Sequence, residues 1–299
     1  MKLSARPIDF VLLLALSSIW GSSYMLIKLG LETVPPLTRA ASRVVLGAAA
    51  LMAVVRLRAL RLPTGVRAWT PFAVMAVVGN ALPFSLIAWG ETRTASGLTA
   101  ILLGVVPVST MVLTHIFTTD ERFTANKLAG LAAGFAGLLV LVGPDALAGL
   151  GGGLAGKLAI VGAALCYATA IVYARRLRHV PALVSAACTL TLAAALMVPL
   201  SLALEAPWRL SPSTTSVAAL VVLGVIGTGV ATMIFFRLIA GAGATFTSLI
   251  NYLIPLFGVV WGWAVLAERL PAAAYLGLAL ILSGVALVNR KARARPESG

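Results

Sequence analysis

In 299 residues the chain is 60% hydrophobic and only 11% charged, with the charges gathered in short clusters between long apolar runs; that is the make-up of a polytopic membrane protein. A formal net charge of +14 would suggest nucleic acid as the partner of a soluble module, but these cations flank apolar spans and form no basic face interleaved with aromatics, so no nucleic acid is expected. Cys166 and Cys188 lie in apolar spans far from His115 and His179, which leaves neither a disulfide framework nor a metal-ligand spacing.

The first apolar run extends from Ile8 to about Leu29. Lys2 and Arg6 ahead of it mimic a secretory signal, and Gly21-Ser22-Ser23 offers small residues for cleavage. Roughly twenty residues is the length that crosses a bilayer, however, and many more spans follow, so a retained first helix is predicted. Further runs are read at Leu37 to Val55, Pro71 to Gly90, Ala95 to Thr118 and Ala125 to Gly143. A second set covers Lys157 to Ala174, Ala182 to Leu204, Thr214 to Phe236, Ala244 to Ala267 and Pro271 to Asn289. Each run is long and uniformly apolar instead of alternating, which favours helices over a barrel. The expected fold is therefore an all-α polytopic membrane protein with ten transmembrane helices.

The Lys and Arg distribution orients it. With the amino terminus inside, cytoplasmic segments hold Lys2 and Arg6, the cluster Arg56, Arg58, Arg61 and Arg67, then Arg122 and Lys127, then Arg175, Arg176 and Arg178, then Arg237, and finally Arg290, Lys291, Arg293 and Arg295. The opposite side keeps Arg93, Lys157, Arg209 and Arg269. The bias places both termini in the cytosol.

The two sets are copies. Sliding the sequence on itself brings Thr99 onto Thr247 and Pro107 onto Pro255. After a one-residue slip it brings Glu121-Arg122 onto Glu268-Arg269, Gly130-Leu131 onto Gly277-Leu278, and Gly137 onto Gly284. Five helices per copy is an odd number, so the second copy enters the membrane from the opposite face, giving two inverted five-helix repeats, a transporter signature. Residues 1–145 and 157–290 are read as the repeats, 146–156 as a glycine-rich linker and 291–299 as a cytosolic tail. No phosphate-binding loop of the Walker type is present, and no cofactor is expected.

Trp20-Gly21-Ser22-Ser23 with Lys28 in the first helix, Arg43 in the second, and the repeated Pro107…Glu121 and Pro255…Glu268 with trailing glycines together resemble the EamA-type members of the drug/metabolite transporter superfamily, over essentially the whole chain. The resemblance implies a ten-helix inverted-repeat fold, a substrate cavity between the halves, and export of amino acids or other small metabolites across the bacterial inner membrane. One departure is plain: the second copy of the first helix reads Leu165-Cys166-Tyr167-Ala168 and lacks the tryptophan.

A proline inside a helix frees the carbonyl four residues earlier, Leu103 for Pro107 and Asn251 for Pro255. Such a carbonyl at membrane depth takes a repairing side chain or lines a watery cavity. Thr247, Asn251 and Pro255 are spaced four apart along one face, with Ser248 and Tyr252 beside it. Trp20, Ser23, Tyr24, Asn80, Phe84, Thr99, Tyr167, Thr228 and Thr232 are the other mid-span candidates for lining a cavity; the alternative for the hydroxyls is close helix packing. Trp89, Tyr173 and Trp261 read as interfacial belt or packing residues. Arg43 lies one turn deeper than Arg39 and serves as a cavity cation, as a gate partner, or as a donor to backbone carbonyls. Lys28 is a second gate candidate or a complement to a helix carboxyl end, and Glu121 and Glu268 suit helix amino ends.

Glu32, Glu91, Asp120, Glu121, Asp145, Glu205 and Glu268 fall at span ends or in loops. A cation in a low-dielectric cavity needs a counter-charge, so the lack of a mid-span acid favours a neutral or zwitterionic substrate. Proton-driven drug or cation efflux is the alternative, and an intramembrane lipid enzyme is the remote one, since no catalytic constellation appears. The expected partners are the bilayer and a small molecule, and one chain suffices because duplication supplies both halves.

Overall fold

The computed structural model describes residues 5–26, 34–91, 93–94, 96–119, 123–143, 153–267 and 272–289, which are mostly helical, with no strand among them. Among the described residues, eight segments are long and apolar enough to cross a membrane: Pro36–Leu57, Val66–Ile87, Leu98–Phe117, Ala125–Val142, Leu154–Leu177, Ala182–Glu205, Thr214–Ala242 and Ala244–Val265. Two shorter apolar runs, Pro7–Ser23 and Tyr275–Val288, stand at either end of the chain. Lys28, Glu121 and Glu268 lie outside the described residues.

In chain order the helices are α1 (Pro7–Leu26), α2 (Pro36–Leu57), α3 (Val66–Ala76), α4 (Leu82–Glu91), α5 (Ser96–Leu103), α6 (Val106–Phe117) and α7 (Ala125–Val142). They continue as α8 (Leu154–Tyr173), α9 (Ala182–Glu205), α10 (Thr214–Gly224), α11 (Ala231–Ala242), α12 (Ala244–Ser248), α13 (Ile250–Leu266) and α14 (Ala272–Asn289). Local chemistry sets several ends. Pro36 opens α2, where the absent N–H costs nothing. The Thr124 and Ser213 side chains accept the N–H groups of Lys127 (3.2 Å) and Ser216 (3.1 Å) at the starts of α7 and α10. Gly243, at φ +90°, makes the sharp turn between α11 and α12. The helix read as starting at Lys157 begins earlier, at Leu154.

Four apparently continuous spans are interrupted, one of them at Leu249 between α12 and α13. A π-helical turn at Val77–Ala81 joins α3 to α4, and another at Val225–Val230 joins α10 to α11. They fall at matching places under the register that aligns Thr99 with Thr247. The Pro107 expectation needs correcting: the chain leaves the helix at Gly104 and Val105, and Pro107 sits in the first turn of α6, where a missing N–H breaks no bond. Pro255 does lie inside its helix, α13.

Packing joins one half of the chain to the other. The principal contacts are α7 on α14, α2 on α9, α1 on α13 and α4 on α8. Between helices in lipid the attraction is mainly close van der Waals contact, which small residues permit. Accordingly, Gly130 meets Gly284 and Gly137 meets Gly277 where α7 and α14 run antiparallel. Exchanging each glycine for its repeat partner maps one of these contacts onto the other. The α2–α9 pair is also antiparallel: Glu205, at the end of α9, accepts the Leu37 and Thr38 N–H groups (3.0 and 2.5 Å), and Thr38 and Ser201 share a hydroxyl bond of 2.9 Å. A carboxylate on the amino end of a helix is favoured by its dipole and satisfies orphan donors. Glu205→Ala is therefore expected to lower stability by about 1–2 kcal/mol, read as a fall in thermal midpoint of the detergent-solubilised protein. An unchanged midpoint would show that the cap contributes nothing.

Candidate functional site

The helix interruptions turn backbone and polar side chains toward the interior of the bundle. At each π-turn a side chain reaches back five residues to a main-chain carbonyl: Asn80 Nδ2 donates to Met75 O (3.2 Å) and Thr228 Oγ1 to Leu223 O (2.9 Å). These bonds occupy equivalent positions in the two halves. Trp20 Nε1 donates across to the Gly227 carbonyl of the second π-turn (3.1 Å), and its indole lies 6.3 Å from the Phe235 ring. Arg43 Nε donates to Thr228 Oγ1 (3.1 Å). One threonine hydroxyl thus links α2 to the π-turn.

Between these groups is a cavity of about 370 Å³, within the size range of small-molecule sites. Of the residues singled out from sequence, Trp20 and Ser23 from α1, Arg43 from α2, Asn80 and Phe84 around the first π-turn, and Thr99 from α5 line it. So do Tyr167 from α8, Thr228 and Thr232 around the second π-turn, and Asn251 and Pro255 from α13. Both halves contribute, whereas α7 and α14 supply no lining residue and form a separate packed pair.

Other expectations do not hold in geometry. Thr247, Ser248 and Tyr252 are fully buried away from the cavity. Thr247 Oγ1 donates to Gly243 O (2.7 Å) and Ser248 Oγ to Thr245 O (2.7 Å). Tyr252 donates its hydroxyl to Leu131 O (3.3 Å) and lays its ring against Gly134 of α7. The shared face from Thr247 to Pro255 assumes one unbroken helix; the turn at Leu249 separates α12 from α13 and resets the phase. Tyr24 belongs to α1, but its side chain lies outside the described residues, as does Lys28. Pro107 is buried in α6 and does not reach the cavity. Trp261 packs as expected, donating to the Ser18 carbonyl of α1 (3.1 Å), and Trp89 is exposed with the Arg93 guanidinium 4.4 Å over its ring.

Sequence reasoning misses several lining residues. Arg39 faces the cavity beside Arg43, a placement that their four-residue spacing already allowed. Phe235 and Phe236 add aromatic wall, and Thr189 of α9 also lines the cavity. Ser23, Thr99 and Thr189 line the cavity with other atoms, and their hydroxyl oxygens are buried from it with no hydrogen-bond partner among the described residues. Asp9 is also missed. It is fully buried in the first turn of α1, accepting the Arg6 N–H (2.9 Å) and lying 3.6 Å from the Arg6 guanidinium. It is not among the lining residues, and none of the described ones is acidic.

The amides have a fixed sense. Asn251 Nδ2 donates to Ser248 O (3.0 Å), as Asn80 Nδ2 does to Met75 O. A carbonyl can only accept, so each Oδ1 is the atom left to receive a bond. Pro255 also leaves the Asn251 main-chain carbonyl without its helical partner. Beyond one end α6 rests on α12 with Thr114 and Thr245 hydroxyls 3.5 Å apart, and Ala244 and Leu249 are fully buried. Towards the other end it lies between α5 and α13 and extends to the exposed Pro36 at the start of α2.

Comparison with known proteins gives a consistent result. The model of the EamA-like transporter family matches residues 8–143 and again 154–290. An uncharacterized transporter of Bacillus subtilis, YoaV, is 24% identical over 91% of this chain and 94% of its own length. The uncharacterized inner membrane transporter YedA of Escherichia coli is 26% identical, covering 94% and 90%. A protein of Streptantibioticus cattleyicolor named "Probable terminal-alkyne amino-acid exporter" is 25% identical, covering 92% and 91%. A solved crystal structure shares the fold with a TM-score of 0.79 at 20% identity, covering 95% of this chain and 98% of its own.

Proposed function

Because the chain belongs to the EamA-like transporter family, we propose that it exports amino acids, or similar small neutral or zwitterionic metabolites, across the bacterial inner membrane by alternating access. The observation that carries this reading is the cavity itself: amide and hydroxyl-bearing residues with aromatic walls, built from both halves, and no acid among the described residues that line it. A drug cation would lack a counter-charge there. The amino-acid exporter named among the relatives supports the same cargo, and YedA supports the membrane.

The transport cycle rests on ten spans arranged as inverted repeats, 1–145 and 157–290, with both termini cytoplasmic. Adding α1 and α14 to the eight long segments reaches ten. The twofold family match, the paired π-turns and the self-mapping glycine contacts all support duplication with inversion. In that orientation α2 begins on the outer side, so the cavity described here is in an outward-open state. Rocking one repeat against the other would close α5 on α13 and part α6 from α12. One chain supplies both halves.

The test is reconstitution in proteoliposomes with a panel of labelled amino acids, with and without a proton gradient. Saturable flux is expected, and Asn251→Ala is expected to reduce it at least tenfold while the protein remains monodisperse. Absence of flux for the whole panel would overturn the cargo assignment. Undiminished flux in Asn251→Ala would overturn the placement of the binding site. Flux that requires the gradient would identify a proton exchanger, and flux without it a facilitator.

A further inference from the structure

We propose that Gly79 sets the size of the cargo: its bare main chain is the floor of a hollow in the cavity wall that receives a bulky apolar side chain. The proposal deepens the exporter reading and rests on it for the role of the cavity. Glycine inside a helix is less stable than alanine, so one kept there needs a reason. Elsewhere in this fold the reason is packing. A Cβ on Gly21 would stand 2.6 Å from Phe257 Cβ, one on Gly90 2.6 Å from Ile160 Cδ1, and one on Gly137 2.8 Å from the Gly277 carbonyl oxygen. Gly79 has no such constraint. A Cβ there would meet only Ala170 Cβ and Met75 Cε, each at 3.4 Å, an ordinary contact distance, and its φ is not positive. Both neighbours are buried and both line the cavity, as Gly79 itself does. The missing side chain therefore points inward, between α3 and α8.

The second half supplies a contrast. Gly227 holds the equivalent place in the other π-turn and also lines the cavity, but it is buried and its carbonyl accepts the Trp20 indole N–H (3.1 Å). Gly79 remains half-exposed. Phe84 and Ile87 on α4 and Ile171 on α8 extend the apolar lining along the same elements. Arg43, Thr228 and Asn251 stand on α2, the second π-turn and α13. A cargo with a polar head and an apolar side chain can place its head at those groups and its side chain on Gly79. Each further buried methylene group strengthens binding, so affinity rises with side-chain size until the hollow is full.

Binding is measured apart from transport, by thermal stabilisation of the purified full-length protein with alanine, valine, leucine and phenylalanine. In the wild type, affinity is expected to rise along this series, by at least tenfold from alanine to phenylalanine. In Gly79→Ala the rise should shrink at least fivefold, with the ligand-free thermal midpoint unchanged or slightly higher. Combining Gly79→Ala with Ala170→Gly moves the methyl group from one wall of the hollow to the other, and should bring the rise back to within about twofold of the wild type. Gly162→Ala, at a position outside the lining where the nearest atom is Leu86 Cδ1 at 3.6 Å, should leave the series unchanged. No stabilisation by any of the four, or no preference for the larger side chains in the wild type, would overturn the proposal. So would an unchanged series in Gly79→Ala, an equal loss for all four amino acids, or a loss that Ala170→Gly does not reverse. A size-graded series in binding with no flux in proteoliposomes would support the hollow and strike down the exporter reading. Flux of alanine without any binding of phenylalanine would do the reverse.

Discussion

Gly284→Leu is expected to abolish the folded protein. A Cβ on Gly284 would stand 2.5 Å from the Gly130 carbonyl oxygen and 2.8 Å from the Gly134 nitrogen. Both are main-chain atoms of α7, which cannot swing aside as a side-chain tip can. Overpacking a core usually costs about 1–3 kcal/mol, and here two backbones must separate along the contact that joins the ends of the two halves. The whole stability of a domain is only about 5–15 kcal/mol. Gly162→Ala is the control, since its nearest neighbour, Leu86 Cδ1, lies at 3.6 Å. The control should fold as well as the parent or slightly better, because alanine is favoured over glycine in a helix by roughly 0.5–1 kcal/mol. Yield of monodisperse protein on size-exclusion chromatography distinguishes the two, and normal yield of Gly284→Leu would refute the close α7–α14 contact.

Ala100→Trp is expected to fold and to lose transport by at least tenfold. Ala100 lies on α5 and faces the cavity opposite α13, so a large ring there fills the space between the two helices without entering a packed core. Seating a substrate and closing α5 on α13 would both be blocked. Flux in proteoliposomes and the thermal midpoint are measured on the same sample. Loss of flux at an unchanged midpoint is the predicted pair of results. Normal flux would mean that the solute does not pass through this cavity.

Much of this arrangement was legible in the sequence because lipid imposes strong rules. Apolar runs of bilayer length reported the long helices, and the repeated glycines reported the duplication. The π-turns were not legible. One extra residue in a turn leaves an apolar run just as apolar, and the only hint was a polar residue at the same place in both halves, Asn80 and Thr228. Placing residues around α12 and α13 failed for a related reason: a face projected from Thr247 to Pro255 presumes continuous winding, and the turn at Leu249 interrupts it. Asn251 and Pro255 reached the cavity, while Tyr252 filled the groove above Gly134. Thr189 belonged to a face that sequence alone does not orient, because a helix surrounded by lipid and protein shows little amphipathic contrast. Asp9 was one acid in the first turn of a long apolar helix, and its burial depends on how α1 meets its neighbours.

The central claim is that two copies of one bundle face each other upside down around a shared cavity. Reporter domains inserted in the segment 144–152 and fused after Gly299 test it most directly, using an enzyme pair active only on opposite sides of the inner membrane. The account predicts that the inserted reporter is active outside and the carboxyl-terminal one inside. Activity of both reporters on the same side would contradict the inversion and the cycle built on it.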